Sequence, residues 1–227
     1  MKSIFKILVL FFCIQNVVAQ NDSVPANTDQ PFLLKLLDNK NNKAFGEFSF
    51  GAYRPIFNGG DYLDNTFEPN PGIYLNFSFF IYKQFHIGYK LNSNHLSVVD
   101  SSVRGFRSSN LTESFFYFGY EFVPTDRLRL GIEYSPFVDF ELNNNAGDDI
   151  GFSDDGDGNY FNFTVNYEVM KGLHLFVSYG FNNITTDIRV PSQLEDTFRN
   201  LSYNHFSVGF KVYFGKQDLI NSFINPI

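Results

Sequence analysis

The sequence predicts an all-β protein, an eight-stranded antiparallel up-and-down β-barrel that crosses a membrane with its strands. Between Ala44 and Phe214, apolar and polar residues alternate in eight separate segments. Such alternation is typical of strands with one apolar and one polar face. The connections between the segments are alternately short and long, and a secretory signal precedes them. Together these observations predict a transmembrane β-barrel with short periplasmic turns and long extracellular loops.

Each strand is assigned from the parity of its apolar residues. The predicted strands span 44–53, 72–82, 85–92, 115–122, 128–142, 160–169, 173–182 and 206–214. Their apolar faces include, in order, Phe48 and Phe50, Leu75 and Phe77, Ile87 and Tyr89, Phe116 and Phe118, Leu130 and Ile132, Phe161 and Phe163, Leu175 and Val177, and Val208 and Phe210. The fifth strand is the longest, and its predicted polar face consists of Arg129, Gly131, Glu133, Ser135, Asp139 and Glu141.

The connections support the same topology. Three of them are short, namely Lys83-Gln84, 123–127 and 170–172. The other four are roughly 16 to 22 residues long, a length that is uncommon inside a compact soluble domain. Because they alternate strictly with the short turns, we expect all four on the extracellular side.

The N-terminus has the features of a secretory signal peptide. Lys2 and Lys6 precede an apolar run at 7–14, and Val17-Val18-Ala19 fits the small-residue rule for cleavage. The predicted organisation is therefore a signal peptide (1–19), an N-terminal periplasmic segment (20–43), the barrel (44–214) and a C-terminal tail (215–227).

Alternation alone leaves open which face points outward, because a soluble ligand-binding barrel has its apolar face inside. The eight apolar faces carry roughly forty side chains, whereas an eight-stranded barrel is only just wide enough to be filled by side chains. So many large residues would not fit inside at normal packing density. We therefore expect the apolar faces to contact lipid. The alternation also leaves open a further class of function, a periplasmic lipid-binding barrel.

The last strand carries a pattern that is similar to the C-terminal assembly signal of outer-membrane proteins. Its residues are Ser207, Gly209, Val212 and Phe214, although 215–227 follow it here. The strands between 44 and 214 resemble the small eight-stranded outer-membrane proteins of the outer membrane protein X type and the barrel of outer membrane protein A. The resemblance implies an integral protein of the bacterial outer membrane, with lipid, lipopolysaccharide and the assembly machinery as partners. The net charge of -7 argues against nucleic acid as a partner, and no cofactor is expected.

Charged residues of polar parity are expected inside the barrel, where buried charges persist only when they are paired. This lumen charge network consists of Glu47, Lys90, Glu121, Arg129, Glu133 and Lys211. We expect its three cations to lie against its three carboxylates. An eight-stranded barrel is too narrow for an open aqueous channel, so general porin activity is not expected.

One long loop contains a weak candidate for a metal site. Asp155, Asp157 and Asn159 have the one-three-five spacing of a calcium loop. However, Tyr160 stands where the turn requires Gly, and Asn166 stands where position twelve requires Glu. We interpret the segment as a solvated acidic hairpin tip, with weak binding of a divalent ion as the alternative.

A second candidate site is catalytic. His95 and Ser97 lie near the outer end of the third strand. Eight-stranded lipid A deacylases of the outer membrane carry a similar His-x-Ser pair, in which the serine is the nucleophile and the histidine its base. Asp100 or Glu113 could supply the acid, although Glu113 has inward parity and the Asn-Ala that follows the serine in that family is absent.

The function that the sequence favours is a non-enzymatic outer-membrane barrel whose surface loops serve adhesion, binding or envelope structure. The alternative is a lipid A acyl hydrolase that uses His95 and Ser97.

Overall fold

The computed structural model describes residues 44–58, 60–99, 108–145, 151–188 and 191–224. The predicted signal peptide, the segment 20–43 and Asp100 lie outside these residues. The strands are β1 (Gly46–Phe57), β2 (Phe67–Pro69), β3 (Gly72–Tyr82), β4 (Phe85–Val98), β5 (Ser108–Phe122), β6 (Leu128–Asn145), β7 (Gly151–Met170), β8 (Leu173–Thr186) and β9 (Asn200–Phe214). The helices are α1 (Tyr62–Thr66), α2 (Glu195–Phe198) and α3 (Leu219–Ile224), with a 3-10 turn at Ser192–Leu194. Among the described helices, none is long and apolar enough to cross a bilayer.

Eight of these strands form a closed antiparallel barrel, which confirms the predicted fold class. Around the barrel the order is β1, β3, β4, β5, β6, β7, β8 and β9, and β9 pairs again with β1. Each strand therefore pairs with its neighbours in sequence, as an up-and-down barrel requires. The short strand β2 pairs with the outer end of β4, from Phe67↔Val98 to Pro69↔Leu96.

The short turns lie at one end of the barrel, where the sequence predicts them. They connect β3 to β4, β5 to β6 and β7 to β8. Lys83 and Gly172 have positive φ angles of 53° and 74°. Left-handed backbone of this kind is typical of tight hairpin turns, because its twist matches that of the flanking strands.

The strands extend much further toward the other end than predicted. β5 begins at Ser108, β7 at Gly151 and β9 at Asn200. In these extensions the alternation continues with its sense reversed. Most outward side chains are polar, and many inward side chains, such as Leu111 and Phe140, are apolar. The polar outward residues of the extensions, which we call the outer wall, include Ser93, His95, Ser97, Asn110, Thr112, Asp139, Glu141, Asn143, Ser153, Asp155, Asp157, Asn159, Asn183, Thr185 and Ser202.

Below the outer wall, the outward residues are apolar on every strand of the barrel. This belt includes Phe50, Phe77, Tyr89, Phe118, Ile132, Phe163, Val177 and Phe210, each with about 40 to 50% of its surface exposed. The prediction placed the apolar faces outward, and the structure has this arrangement in the belt. The reversed alternation beyond the belt was not predicted from the sequence.

The polar face predicted for the fifth strand was wrong in its outer half. Asp139 and Glu141 point outward, and Val138 and Phe140 are buried in their place. The cause is a bulge after Ser135, where β6 has one residue more than its partner strands. Pro136 lies in this bulge, and a proline cannot donate a ladder hydrogen bond. One extra residue moves every later side chain to the opposite face of the sheet.

Candidate functional site

The inner part of the lumen holds the predicted charged residues in contact with one another. Lys90 forms an ion pair with Glu133, Arg129 Nη1 lies 3.0 Å from Glu121 Oε2, and Lys211 Nζ lies 2.9 Å from Glu47 Oε2. Lys211 Nζ is also 3.6 Å from Glu121 Oε1, so two of the pairs are joined. All six side chains are buried. Buried ions of this kind are tolerated only because their charges and hydrogen bonds are matched.

Tyrosine rings surround the cations of this lumen charge network. Lys90 Nζ is 4.7 Å from the ring centroids of Tyr117 and Tyr160 and 5.3 Å from that of Tyr74. Arg129 Cζ lies 4.3 Å from the centroid of the Tyr213 ring. The negative faces of aromatic rings attract cations, most strongly where water is excluded. The rings therefore fill the lumen and stabilise its charges together.

A second polar cluster is centred on Glu113, whose side chain is fully buried. The hydroxyls of Tyr53 and Tyr203 each donate to its carboxylate at 2.5 Å, and Asn92 Nδ2 donates at 3.1 Å. Asn182 is the fourth donor. Within the described part of the chain, Glu113 takes part in no ion pair. Its four donors come from β1, β4, β8 and β9, so this one carboxylate connects β5 to four other strands.

The position of Glu113 contradicts its proposed role as the acid partner of His95. The β4–β5 register is continuous from Phe85↔Tyr120 to Ser97↔Ser108, and there is no bulge between these described residues. Side chains of β5 therefore keep their parity, and Glu113 points into the lumen while His95 and Ser97 point outward.

His95 and Ser97, which lie on the outer wall, have separate hydrogen-bond partners. His95 Nδ1 is 3.0 Å from Asn110 Oδ1, and Asn70 Nδ2 donates to Ser97 Oγ at 3.0 Å. Both side chains are exposed. These contacts are surface hydrogen bonds. Among the described residues, no carboxylate forms a hydrogen bond with His95 or Ser97.

The predicted acidic hairpin tip is wrong as well, because its residues belong to a strand. Asp155, Asp157 and Asn159 lie at alternate positions of β7 and all point outward. Two-residue steps along a strand separate neighbouring side chains by about 6.6 Å, so their oxygens do not converge as in a calcium loop. Among the described residues, no group of three or more His, Cys, Asp or Glu side chains is arranged to hold a metal ion.

The four residues of the predicted assembly signal lie where β9 closes the barrel against β1. Ser207 is buried in the lumen, and Gly209 is paired with Gly51 of β1. A Cβ atom on Gly209 would lie 2.1 Å from the carbonyl oxygen of Phe50, so only glycine fits here. Val212 pairs with Phe48, and the ring of Phe214 stacks on that of Phe77. The role of this segment in assembly remains a prediction.

The outer part of the lumen is an apolar core closed by a cap. Side chains of α1 and β2, namely Tyr62, Leu63 and Phe67, are buried against inward residues of the long strands. Those inward residues are Leu96, Leu111, Phe115, Tyr117, Val138, Phe140, Leu142, Tyr160, Ile184, Leu201 and Tyr203. The ring of Phe198 in α2 packs on Tyr62 with centroids 5.0 Å apart. The cap and these inward residues together form one buried apolar cluster in the outer part of the lumen.

Asp61 fastens this cap, and its replacement by alanine is expected to loosen it. Asp61 Oδ1 accepts from Leu63 N at 3.1 Å and Asp64 N at 3.2 Å, and Oδ2 accepts from Ser202 N at 3.1 Å. Losing a helix cap and a tie to β9 is expected to cost about 1–3 kcal/mol of local stability. Amide hydrogen exchange at Leu63 and Ser202 should become faster.

Asp61→Asn is the matched control, because an amide oxygen still accepts the capping hydrogen bonds. Its Nδ2 replaces Oδ2 and cannot accept from Ser202 N. Exchange at Leu63 should therefore stay close to that of the unmodified protein, whereas exchange at Ser202 should become faster. Equal exchange rates in Asp61→Ala and the unmodified protein would show that Asp61 does not hold the cap.

No protein-family model matches this chain, and no curated protein is similar to it. Solved structures with similarity to it include Ail, the attachment invasion locus protein of Yersinia pestis, at 10% identity and a TM-score of 0.47, covering 74% of this chain and 96% of Ail. The outer membrane protein AlkL is similar at 12% identity and a TM-score of 0.45, covering 86% of this chain and 97% of AlkL. The outer membrane protease OmpT from Escherichia coli is similar at 13% identity and a TM-score of 0.37, covering 74% of this chain and 96% of OmpT.

Proposed function

We propose that this protein is an integral barrel of the bacterial outer membrane, with a closed lumen and no enzymatic activity, that presents a rigid polar surface outside the cell. The observation that carries the proposal is the reversal of alternation along the strands. In β8, Val177 and Tyr179 point outward in the belt, whereas Asn183 and Thr185 point outward beyond it. A side-chain pattern that reverses while the strand continues indicates that the solvent changes from lipid to water.

The height of the belt supports the same conclusion. In β8 the outward apolar residues run from Leu173 to Phe181. Nine residues of strand are about 30 Å long, and a tilt of 35–45° reduces this to about 21–24 Å across the membrane. The apolar band of outer-membrane barrels is about 25 Å tall. Soluble monomers rarely expose a continuous apolar surface of this size.

The filled lumen argues against a channel. The lumen charge network, the tyrosine rings and the Glu113 cluster occupy the inner part, and the apolar core with its cap occupies the outer part. A barrel of eight strands is normally filled by its own side chains. We therefore propose a structural or surface-contact role, and we do not propose transport.

The outer wall is the surface most suited to contacts with other molecules. Its residues carry amides, hydroxyls, carboxylates and the imidazole of His95 on paired strands, so the surface is rigid as well as polar. Lipopolysaccharide surrounds such a wall in the outer leaflet, and we propose it as the lipid partner, with the outer-membrane assembly machinery as a partner during biogenesis. A hydrolase is not proposed, because Glu113 faces the lumen and Ser97 Oγ accepts a hydrogen bond from Asn70 Nδ2.

Single-cysteine labelling tests both the location and the orientation. Cys13 is the only cysteine and lies in the predicted signal peptide, so the mature barrel itself provides a cysteine-free background. A membrane-impermeant maleimide should label Asn143→Cys, on the outer wall, in intact cells. It should label Asp126→Cys, in the 123–127 turn, only after the outer membrane has been permeabilised.

Val177→Cys is the control within the belt, and lipid should protect it from the reagent in both conditions. Recovery of the protein in the soluble fraction would contradict the membrane proposal. Equal labelling of Asn143→Cys and Asp126→Cys in intact cells would contradict the proposed orientation.

A further inference from the structure

The segment after β9 forms a helix whose apolar side chains face away from the barrel. In α3, Ile220, Phe223 and Ile224 are 38%, 79% and 68% exposed. Their spacing of three and four residues places them on one face of the helix. A helix on the surface of a soluble protein normally turns such a stripe toward the core. Here the stripe is turned outward.

Polar contacts hold this helix against the turn end of the barrel. Asp218, which precedes α3, is buried, and its Oδ2 accepts from Lys83 N in the β3–β4 turn at 3.0 Å. Its Oδ1 accepts from Asn221 N at 2.8 Å, which is the hydrogen bond of a helix N-cap. Asn221 Nδ2 also donates to Asp218 Oδ2, at 2.6 Å. The helix is therefore fixed in its orientation, with its polar residues toward the protein.

The place where α3 is fixed coincides with the edge of the apolar belt. Tyr82, the last residue of β3, is 47% exposed, and Lys83 Nζ lies 4.9 Å from the centroid of its ring. Tyrosine and lysine are typical of the level at which a membrane meets water. The apolar belt ends at this level, and the outward apolar stripe of α3 lies next to its edge.

From this geometry we infer that α3 is an interfacial anchor that inserts Phe223 and Ile224 into the periplasmic leaflet of the outer membrane. The inference rests on the proposed membrane location. The helix Leu219–Ile224 carries no charged residue, so nothing on its outward face opposes burial in lipid. Amphipathic helices bind the interface through such an apolar face. Lipid is the occupant that continuity with the belt favours over a second copy of the chain.

Single tryptophan probes test this inference directly, because the chain contains no tryptophan. Phe223→Trp, Phe118→Trp and Phe152→Trp are reconstituted separately in phosphatidylcholine vesicles that carry bromine at a shallow or a deep acyl position. We expect Phe223→Trp to have blue-shifted emission and to be quenched most by the shallow bromines. Phe118→Trp, in the belt, should be quenched most by the deep bromines.

Phe152→Trp lies at the start of β7, beyond the belt, and should remain unquenched. Far-ultraviolet circular dichroism checks that each variant has folded. If Phe118→Trp is quenched and Phe223→Trp is not, the anchor is wrong and the membrane barrel stands. Blue-shifted but unquenched Phe223→Trp would mean a protein contact and would also overturn the inference. If both belt and helix probes escape quenching, the proposed membrane location itself fails.

Discussion

Replacing Lys90 with methionine is expected to lower the free energy of unfolding by about 3–5 kcal/mol, because it leaves the buried carboxylate of Glu133 without its cation. Methionine keeps the length and flexibility of the lysine stem, so packing changes little. Among the described residues, Glu133 would keep hydrogen bonds from neutral groups, such as that from Asn162 Nδ2 at 2.7 Å. Equilibrium unfolding by guanidinium in lipid vesicles measures the loss.

Two comparisons isolate the charge. The double variant Lys90→Met/Glu133→Gln removes the uncompensated carboxylate and should recover much of the lost stability. Arg199→Met breaks an ion pair with Glu195 whose side chains are 51% and 46% exposed, with Nη1 and Oε1 3.9 Å apart. Such an exposed pair contributes about 0.5 kcal/mol or less. If the single and double variants lose equal stability, the lost charge is not the cause.

Replacing Phe140 with alanine is expected to cost about 3–5 kcal/mol, the usual cost of emptying a phenylalanine site in a packed core. Phe140 is fully buried in the apolar core of the outer lumen, on β6 beyond the bulge. The surrounding strands are held by ladder hydrogen bonds on both sides, so they cannot collapse into the cavity. The same guanidinium titration in vesicles measures the effect.

Phe118→Ala is the matched control, because Phe118 points outward in the belt. Lipid chains can fill the volume that its ring leaves, so the loss should be clearly smaller. Equal losses at the two positions would show that the outer lumen is not a packed core. A larger loss of stability in Phe118→Ala than in Phe140→Ala would also show that the outer lumen is not a packed core.

The topology of the barrel could be predicted because it depends on local patterns. Strands such as 72–82 and 85–92 show apolar alternation on both sides of a two-residue turn, and a hairpin is the only compact connection for them. The outward direction followed from volume, since the belt residues are too bulky for an eight-stranded lumen. The lumen charges could be named from parity alone, because charges on the inward face must find partners there.

The inward side chains of the lumen could be predicted only along stretches of strand without a bulge, where every second residue keeps pointing inward. Asp139 and Glu141 were placed on the wrong face because a single extra residue near Pro136 reverses β6. The cap and the donors of Glu113 were missed for a different reason. They come from segments far apart in sequence, and only barrel closure brings Tyr53 of β1 and Tyr203 of β9 to the same carboxylate.

By itself the sequence determined that the chain alternates with a period of two, and thereby the number, order and turns of the strands. Only the tertiary structure decided where the alternation changes its sense. The period of a strand is a property of its backbone, but the sense depends on which solvent surrounds each level of the closed barrel. Leu201 and Tyr203 are spaced two residues apart, as are Phe206 and Val208, yet the first two are buried in the lumen and the last two face outward.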